Sequence, residues 1–291
     1  MSAVIIDGRQ LARITRAEVA RRVGDFRAEN GFAPGLATVL VGDDPASAVY
    51  IRAKRRAASE VGLADHHHHL PGSATVDEVA EVIDALSDDD DVAGILLQLP
   101  LPRGLDRSRL IDRIPPAKDV DGLTTLSQGR LARGVPGLHP CTAEGVIALL
   151  DYAEVTIDGA LATVVGRSEL VGHPAAELLM RRGATVTLAH SRTRDLASAT
   201  READIVVAAA GRPALVGPAH VRRGAAVIDV GIHRSADGLV GDVQFDEVRD
   251  IAGFISPVPG GVGPMTIANL LKNTIEAAEV RAGLSNVAAQ N

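Results

Sequence analysis

Thr163-Val164-Val165-Gly166-Arg167-Ser168-Glu169-Leu170-Val171-Gly172-His173-Pro174 is the stretch on which the fold turns. An apolar run, a turn bounded by two glycines and a proline-started helical pattern read as strand, tight turn and helix N-terminus, the arrangement that presents backbone N–H groups to a phosphate. Five residues separate the glycines, so this is not the G-x-G-x-x-G spacing, and a plain βα turn would look similar. The surroundings decide. Short apolar runs at Leu161 to Val165, Thr185 to Ala189, Ile205 to Ala209 and Ala226 to Val230 alternate with helical patterns, as in a parallel nucleotide-binding sheet.

The end of the next strand bears on the cofactor. Folds of this type that bind NAD carry an acidic residue about 20 residues past the glycine turn, on the ribose hydroxyls. Here the region reads His190-Ser191-Arg192-Thr193-Arg194, a hydroxyl and two arginines with no carboxylate. That suits a 2′-phosphate, so NADP is expected rather than NAD.

Upstream lies a second α/β series. A helix is expected over Gln10 to Asn30, a strand at Leu36 to Val41, a helix from Pro45 stopped by Gly62, a strand at His66 to Leu70, a helix from Val76 to Leu86 and an apolar strand from Val92 to Leu99. Ile114 to Gly137 is rich in Pro, Gly, Asp and Thr and reads as a long irregular stretch. A helix follows from Thr142 to Tyr152, and an amphipathic one from Thr266 to Ala282, beyond a proline and glycine hinge, is expected to return to the first domain. The expected architecture is α/β in two domains: residues 1–139 with 267–291 as an N-terminal catalytic domain, and 140–266 as a Rossmann-like NADP-binding domain.

In the helix from Pro45, Tyr50 and Lys54 stand one turn apart, about 6 Å along the axis. The chain has two tyrosines, three lysines and twenty-seven arginines. Where arginine supplies nearly all the positive charge, a retained lysine points to a role that needs a proton to be lost, which guanidinium cannot do. Lys54 shares a stripe with Tyr50, Ala57, Ala58 and Val61, and is expected to be half-buried. A lysine snorkelling from the edge of a buried face fits that helix equally well.

Bulk properties narrow the field. At 291 residues and 46% hydrophobic, the chain has room for two domains with cores, built from Ala, Val, Leu and Ile because aromatics make up only 2%. A formal charge of −7, with no basic tract interleaved with aromatics, argues against nucleic acid as the main partner. Cys141 is alone, so no internal disulfide is possible, and with no membrane-length apolar run a cytoplasmic location is expected. His66 to His69 invite a metal reading, but adjacent strand residues point to opposite faces and no second ligand cluster accompanies them, so no metal is expected.

Several ordered blocks together are far more specific than any one. Val41 to Ser47 (VGDDPAS) leads to Tyr50 and Lys54; then come Gly94 to Pro102 (GILLQLPLP), Lys118 to Gly122 (KDVDG), Pro140-Cys141-Thr142, Val165 to Gly172 and Pro257 to Thr266 (PVPGGVGPMT). With these in place the chain resembles, over essentially its whole length, the bifunctional methylenetetrahydrofolate dehydrogenase/cyclohydrolase family. The resemblance implies oxidation of methylenetetrahydrofolate by NADP and hydrolysis of the product to formyltetrahydrofolate. It implies Lys54 as the acid/base residue of the hydrolytic step, Gln98 tuning it, Tyr50 stacked on the folate and Asp121 holding the pterin. It assigns Gly166, Arg167, Ser168, Ser191, Arg192, Ile232 and Thr142 to the cofactor. To the folate it assigns Tyr50, Lys54, Leu97, Gln98, Leu99, Asp121, Pro259, Gly260, Gly261 and Val262, and it suggests a homodimer. Cys141 is expected to be a structural thiol. A short-chain dehydrogenase also uses Tyr-x-x-x-Lys, but there the glycine loop precedes the pair, whereas here Lys54 lies far ahead of Gly166.

Overall fold

The computed structural model describes residues 2–236 and 238–284. In chain order its elements are β1 (Val4–Ile5), α1 (Gly8–Asn30), β2 (Gly35–Val41), α2 (Pro45–Glu60), β3 (Ala64–Leu70), α3 (Val76–Asp88), β4 (Val92–Leu97), α4 (Arg107–Ile111), α5 (Thr125–Ala132), α6 (Cys141–Tyr152), β5 (Leu161–Val165), α7 (Gly172–Arg181), β6 (Thr185–Ala189), α8 (Leu196–Thr200), β7 (Ile205–Ala208), β8 (Ala226–Asp229), β9 (His233–Ser235), β10 (Gly238–Val240), α9 (Phe245–Arg249), β11 (Phe254–Ile255) and α10 (Val262–Arg281).

The chain divides into two compact units. One holds Thr142–Thr266 together with the N-terminal segment through Arg13, and the other holds Ile14–Cys141 with the C-terminal segment from Ile267. The sequence reading placed residues 1–139 in one domain; by compactness the first thirteen of them group with the nucleotide-type unit. Val4 and Ile5 pair in parallel with Phe254 and Ile255, so the chain begins as an edge strand of the nucleotide-type sheet before α1 carries it into the other unit. A two-residue strand whose partner lies 250 positions away leaves no periodicity to read. Of the residues assigned to that domain, Met1 and 285–291 lie outside the described residues.

In the nucleotide-type unit, among the described residues, one sheet has the order β1-β11-β8-β7-β5-β6, with every pairing parallel. Strands β7 and β8 are buried throughout and β5 along all but its first residue, which is why they read as unbroken apolar runs. The chain leaves β5 for β6 on one side and returns to β7 on the other. That reversal creates the crevice at the strands' carboxyl ends where doubly wound sheets bind ligands.

The other unit is built on the parallel sheet β3-β2-β4. Apolar side chains of α1, α2 and α10 cover one face, and those of α3 and α4 the other. Asp44 caps α2 by accepting from the N–H of Ser47 at 2.7 Å, and Pro45 fills the first helical position, whose N–H would lack a partner. Helix α10 starts at Val262, four residues before the expected position. Pro264 is tolerated within it because the N–H groups of a first turn have no intrahelical acceptor. Arg22 Nε donates to Glu279 at 2.9 Å, tying α10 to α1 within this unit.

Candidate active site

Lys54 occupies the buried face of α2 with Ile51, Ala57 and Ala58, and at 8% exposure it is more deeply covered than the expected half. Its Nζ donates to Gln98 Oε1 at 3.0 Å. Gln98 Nε2 is held in turn by the carbonyl of Leu99 at 2.5 Å, which fixes the amide with its oxygen toward the lysine. Gln98 directly follows β4, and alternation sends its neighbours the other way: Leu97 and Leu99 join the apolar cluster on the α3 side. Their side chains are thus not brought to Lys54. Tyr50, one turn before the lysine, is 42% exposed and leaves a ring face open.

Asp121 comes from the stretch read as irregular, and its loop is pinned on every side. Ile95 N–H donates to the Lys118 carbonyl at 2.8 Å, so the loop runs beside β4. The Asp119 carboxylate accepts from the N–H groups of Leu123 (3.1 Å) and Thr124 (2.8 Å), and Thr124 caps α5, a helix that the irregular reading of Ile114 to Gly137 did not anticipate. Gly122 sits at φ 67°, and a Cβ there would fall 2.5 Å from the carbonyl carbon of His139. The half-buried carboxyl of Asp121 is raised above its ordinary pKa, first by loss of water; Lys54 opposes the rise and Asp119 adds to it. The mutual field places Lys54 and Asp121 in one electrostatic cluster.

Cys141 belongs to the same cluster. Its thiol donates to the Val120 carbonyl at 3.1 Å, and burial, reinforced by the charge of Asp121, pushes its pKa well above the usual thiol value. A thiol kept protonated is a packing and hydrogen-bonding group, not a nucleophile.

Two residues escaped the sequence reading. Asn273 Nδ2 donates to the carbonyls of Val120 (2.9 Å) and His139 (3.0 Å), and Asn269 Nδ2 to that of Cys141 (3.0 Å). Both are buried on α10, and they hold the carbonyl just before Asp121 together with the backbone of His139 and Cys141. The available signal was a pair of asparagines four apart on the apolar side of a helix, where a buried amide needs a specific partner.

In the nucleotide-type unit the glycine loop lies at the sheet's switch point. Gly166 has φ 125°, and a Cβ on it would come within 2.0 Å of the Ala209 carbonyl oxygen beyond β7. The position is therefore closed to any side chain, because the backbone beyond β7 fills the space that a Cβ would need. Ser168 Oγ accepts from the N–H groups of Val171 (3.2 Å) and Gly172 (3.4 Å) at the start of α7. Arg167 and Ser168 in this loop, and Ser191 and Arg192 after β6, are all exposed. His190 shapes the second segment: its ring Nδ1 accepts from the N–H of Arg192 at 3.1 Å.

Ile232, 43% exposed, lies beside Gly263 at the start of α10, and the hydroxyls of Thr142 and Thr266 are 3.2 Å apart. The Pro259–Gly261 segment is fastened by Arg9 N–H to the Gly260 carbonyl at 3.1 Å. Two buried carboxylates, also unread from sequence, organise the loops beyond β7 and β8. Asp229 accepts from the N–H groups of Gly231, Asp242 and Val243, and Asp242 from those of Ala210 and Gly211. Burial raises the Asp229 carboxyl to about 6.

Of the four histidines on β3, His67 Nδ1 contacts Thr38 Oγ1 at 2.9 Å and His69 Nε2 the Gly42 carbonyl at 3.0 Å. Among the described residues no group of three or more His, Cys, Asp or Glu could hold a metal ion, and no helix is long and apolar enough to cross a membrane.

A switch-point crevice fit for a dinucleotide, in a chain whose other unit sets an amine against an amide and a carboxyl, defines a dinucleotide-dependent α/β enzyme with acid/base chemistry of its own. Comparison with known proteins narrows that class. Residues 6–121 match the catalytic domain of tetrahydrofolate dehydrogenase/cyclohydrolase and residues 140–282 its NAD(P)-binding domain, so the chain belongs to the tetrahydrofolate dehydrogenase/cyclohydrolase family. It is 61% identical over 287 residues to Bifunctional protein FolD 2 of Frankia alni, covering 99% of this chain and 100% of the relative. To Bifunctional protein FolD of Rhodopseudomonas palustris strain HaA2 it is 51% identical over 290 residues, with 98% of each chain covered. Among solved structures, the bifunctional methylenetetrahydrofolate dehydrogenase/cyclohydrolase FolD of Campylobacter jejuni superposes with a TM-score of 0.94 at 40% identity, covering 96% of this chain and 100% of that one. The Trypanosoma brucei enzyme, solved with NADP cofactor and inhibitor, gives 0.93 at 39% identity, covering 97% and 99%.

Proposed function

We infer that the chain oxidises 5,10-methylenetetrahydrofolate to 5,10-methenyltetrahydrofolate with NADP and hydrolyses that product to 10-formyltetrahydrofolate, with Lys54 as the acid/base group of the second step. The observation that carries the residue assignment is the 3.0 Å contact from Lys54 Nζ to Gln98 Oε1 in an otherwise apolar wall.

NADP, when bound, supplies the hydride acceptor. The chain's part in that half is to hold two flat rings in near-attack geometry and exclude water, and no acid or base is required. Gly166 allows the tight turn that leads to the N-terminus of α7, where the pyrophosphate would lie, and Ser191 with Arg192 offers a hydroxyl and a guanidinium to the 2′-phosphate. Ring opening is different, because an attacking water must lose a proton and a departing ring nitrogen must gain one. One amine, held by an oriented amide, can relay that proton. Tyr50 offers its exposed ring to the folate, and Asp121 can accept two parallel hydrogen bonds from the amino-pyrimidinone edge of the pterin. Pro259, Gly260, Gly261 and Val262 complete the folate-contacting set that we propose, while Leu97 and Leu99, whose side chains pack on the α3 side, belong to it only through their backbone. We also propose a cytoplasmic homodimer, in keeping with a lone, buried, free thiol.

A spectrophotometric comparison of NADP and NAD with methylenetetrahydrofolate tests the reading. Reduction should be faster with NADP, and Arg192→Ser should raise the KM for NADP by about 10- to 100-fold, as expected for loss of a hydrogen bond to a charged group, while leaving that for NAD nearly unchanged. Equal use of both cofactors by the unaltered chain would overturn the cofactor assignment. Asp121→Asn, which keeps shape but cannot accept two bonds, should lower kcat/KM for the folate by roughly 10- to 100-fold. Unchanged folate kinetics in that variant would remove Asp121 from the pterin site.

A further inference from the structure

The carboxyls of Asp229 and Asp242 have no part in the chemistry above, yet both are buried, at 2% and 0% exposure. Asp242 joins three segments beyond the sheet. Its Oδ2 accepts from the N–H groups of Ala210 (2.6 Å) and Gly211 (2.8 Å) after β7, and its own N–H donates at 2.9 Å to Oδ1 of Asp229, the last residue of β8. Its Oδ1 accepts from His233 Nε2 at 2.7 Å. A hydrogen bond to a carboxylate removed from water is one of the stronger polar contacts a side chain can make.

That bond bears on Ile232. Gly231 N–H donates to Asp229 Oδ1 at 2.9 Å, so Ile232 is fastened on one side through backbone to the first buried carboxylate and on the other, through the His233 ring, to the second. Little slack remains. A Cβ on Gly231 would stand 2.3 Å from Asp242 Oδ1, and one on Gly241 1.9 Å from Asp229 Oδ2. His233 also pairs with Val240, so its ring closes the base of the β9–β10 hairpin and leaves Ile232 just outside it, 43% exposed and beside Gly263.

We propose that His233 is a positioning residue of the cofactor site, holding Ile232 at the rim of the switch-point crevice by anchoring its ring on Asp242. This rests on the function inferred above and on the assignment of Ile232 to the cofactor. Asp242 also fastens the loop after β7, against which the Gly166 turn packs, so one carboxylate keeps Ile232 in register with the glycine loop. An apolar contact adds most to binding when its backbone is ordered before the ligand arrives, since the ordering cost is otherwise taken from the affinity. A short planar ring suits that task. A lysine would reach Asp242 too, but would lose more rotamer freedom in doing so.

The test compares His233→Ala with His233→Gln, which places an amide N–H at a reach similar to that of Nε2. In the alanine variant the KM for NADP should rise about tenfold, as expected for loss of a hydrogen bond to a charged group, with a smaller effect on kcat. The glutamine variant should recover to within about threefold. Hydrolysis of methenyltetrahydrofolate supplied directly needs no cofactor and should stay within about twofold in both, which certifies their folding. Should the alanine variant fold poorly, His233→Ser, polar but too short to reach Asp242, gives the same reading. A KM for NADP within twofold of the original in the alanine or serine variant, even with a lowered thermal midpoint, overturns the proposal, as does a glutamine variant impaired as much as the alanine one. An unchanged KM in Ile232→Ala would instead strike the assignment of Ile232, and an unaltered chain that does not reduce NADP with methylenetetrahydrofolate would strike the function itself.

Discussion

Replacing Lys54 with arginine is expected to reduce hydrolysis of methenyltetrahydrofolate by about 10²- to 10⁴-fold, the range that a positioned general acid/base supplies. Hydride transfer to NADP should persist within about tenfold, because that step asks only for positioning. The argument rests on separating charge from proton transfer. Arginine keeps the positive charge beside Gln98 and Asp121, so the field that Asp121 experiences is largely preserved, yet guanidinium does not release its proton at any working pH. Because Lys54 is buried, the larger side chain also strains its surroundings, and Lys54→Gln serves as the smaller companion that cannot transfer a proton either. Thermal unfolding and NADP titration check that both variants fold and bind. The decay of methenyltetrahydrofolate absorbance then reads the chemistry, and hydrolysis at the original rate in both variants would sink the role given to this amine.

How much of this was legible beforehand differs between the two units. Strands β2, β4, β5, β7 and β8 are buried almost throughout, so their apolar runs announced them, and the loop after β5 carried its glycines in plain view. The pairing of Lys54 with Gln98 could be anticipated because an amide ending an apolar strand requires a partner. The rarity of lysine was a weaker guide than it looked. Lys118 is equally rare and equally buried, and its Nζ donates to the carbonyls of Leu86, Ser87 and Asp89, closing the end of α3. That is a structural use of an ammonium's three donors. What set Lys54 apart was its helical phase beside Tyr50.

The features that stayed hidden are those made by partners distant in the chain. The two-residue strand β1 exists only through its pairing with β11, itself a two-residue strand set between β1 and β8, and the value of Asn269 and Asn273 lies in carbonyls more than a hundred residues upstream. Asp119 and Asp121 look alike in sequence, two acidic residues in a turn-rich loop. Only the fold shows that the first is consumed by backbone N–H groups while the second shares an electrostatic cluster with Lys54.

A single methyl group at Gly166 should do more damage than the loss of any side chain in the cofactor loop. Gly166→Ala is expected to destabilise the nucleotide-type unit by about 3 kcal/mol or more, and to weaken NADP binding at least tenfold in whatever fraction remains folded. Two costs add. At φ 125° the backbone occupies a region that residues with a Cβ rarely adopt, and the new carbon would stand 2.0 Å from the Ala209 carbonyl oxygen, well inside contact distance. Neither cost is easily relieved. Ala209 N–H donates to the Val165 carbonyl at 2.8 Å, and the next residue's N–H is held by Asp242 at 2.6 Å, so the obstructing segment is itself fastened and cannot swing aside like a flexible side chain. Gly211→Ala provides the comparison: its φ of 66° is also positive, but a Cβ there meets nothing within 4 Å, so that variant should incur the backbone cost alone. Thermal unfolding of the two variants separates collision from conformation, and a Gly166→Ala protein no less stable than Gly211→Ala would show that the turn yields where its geometry says it is blocked.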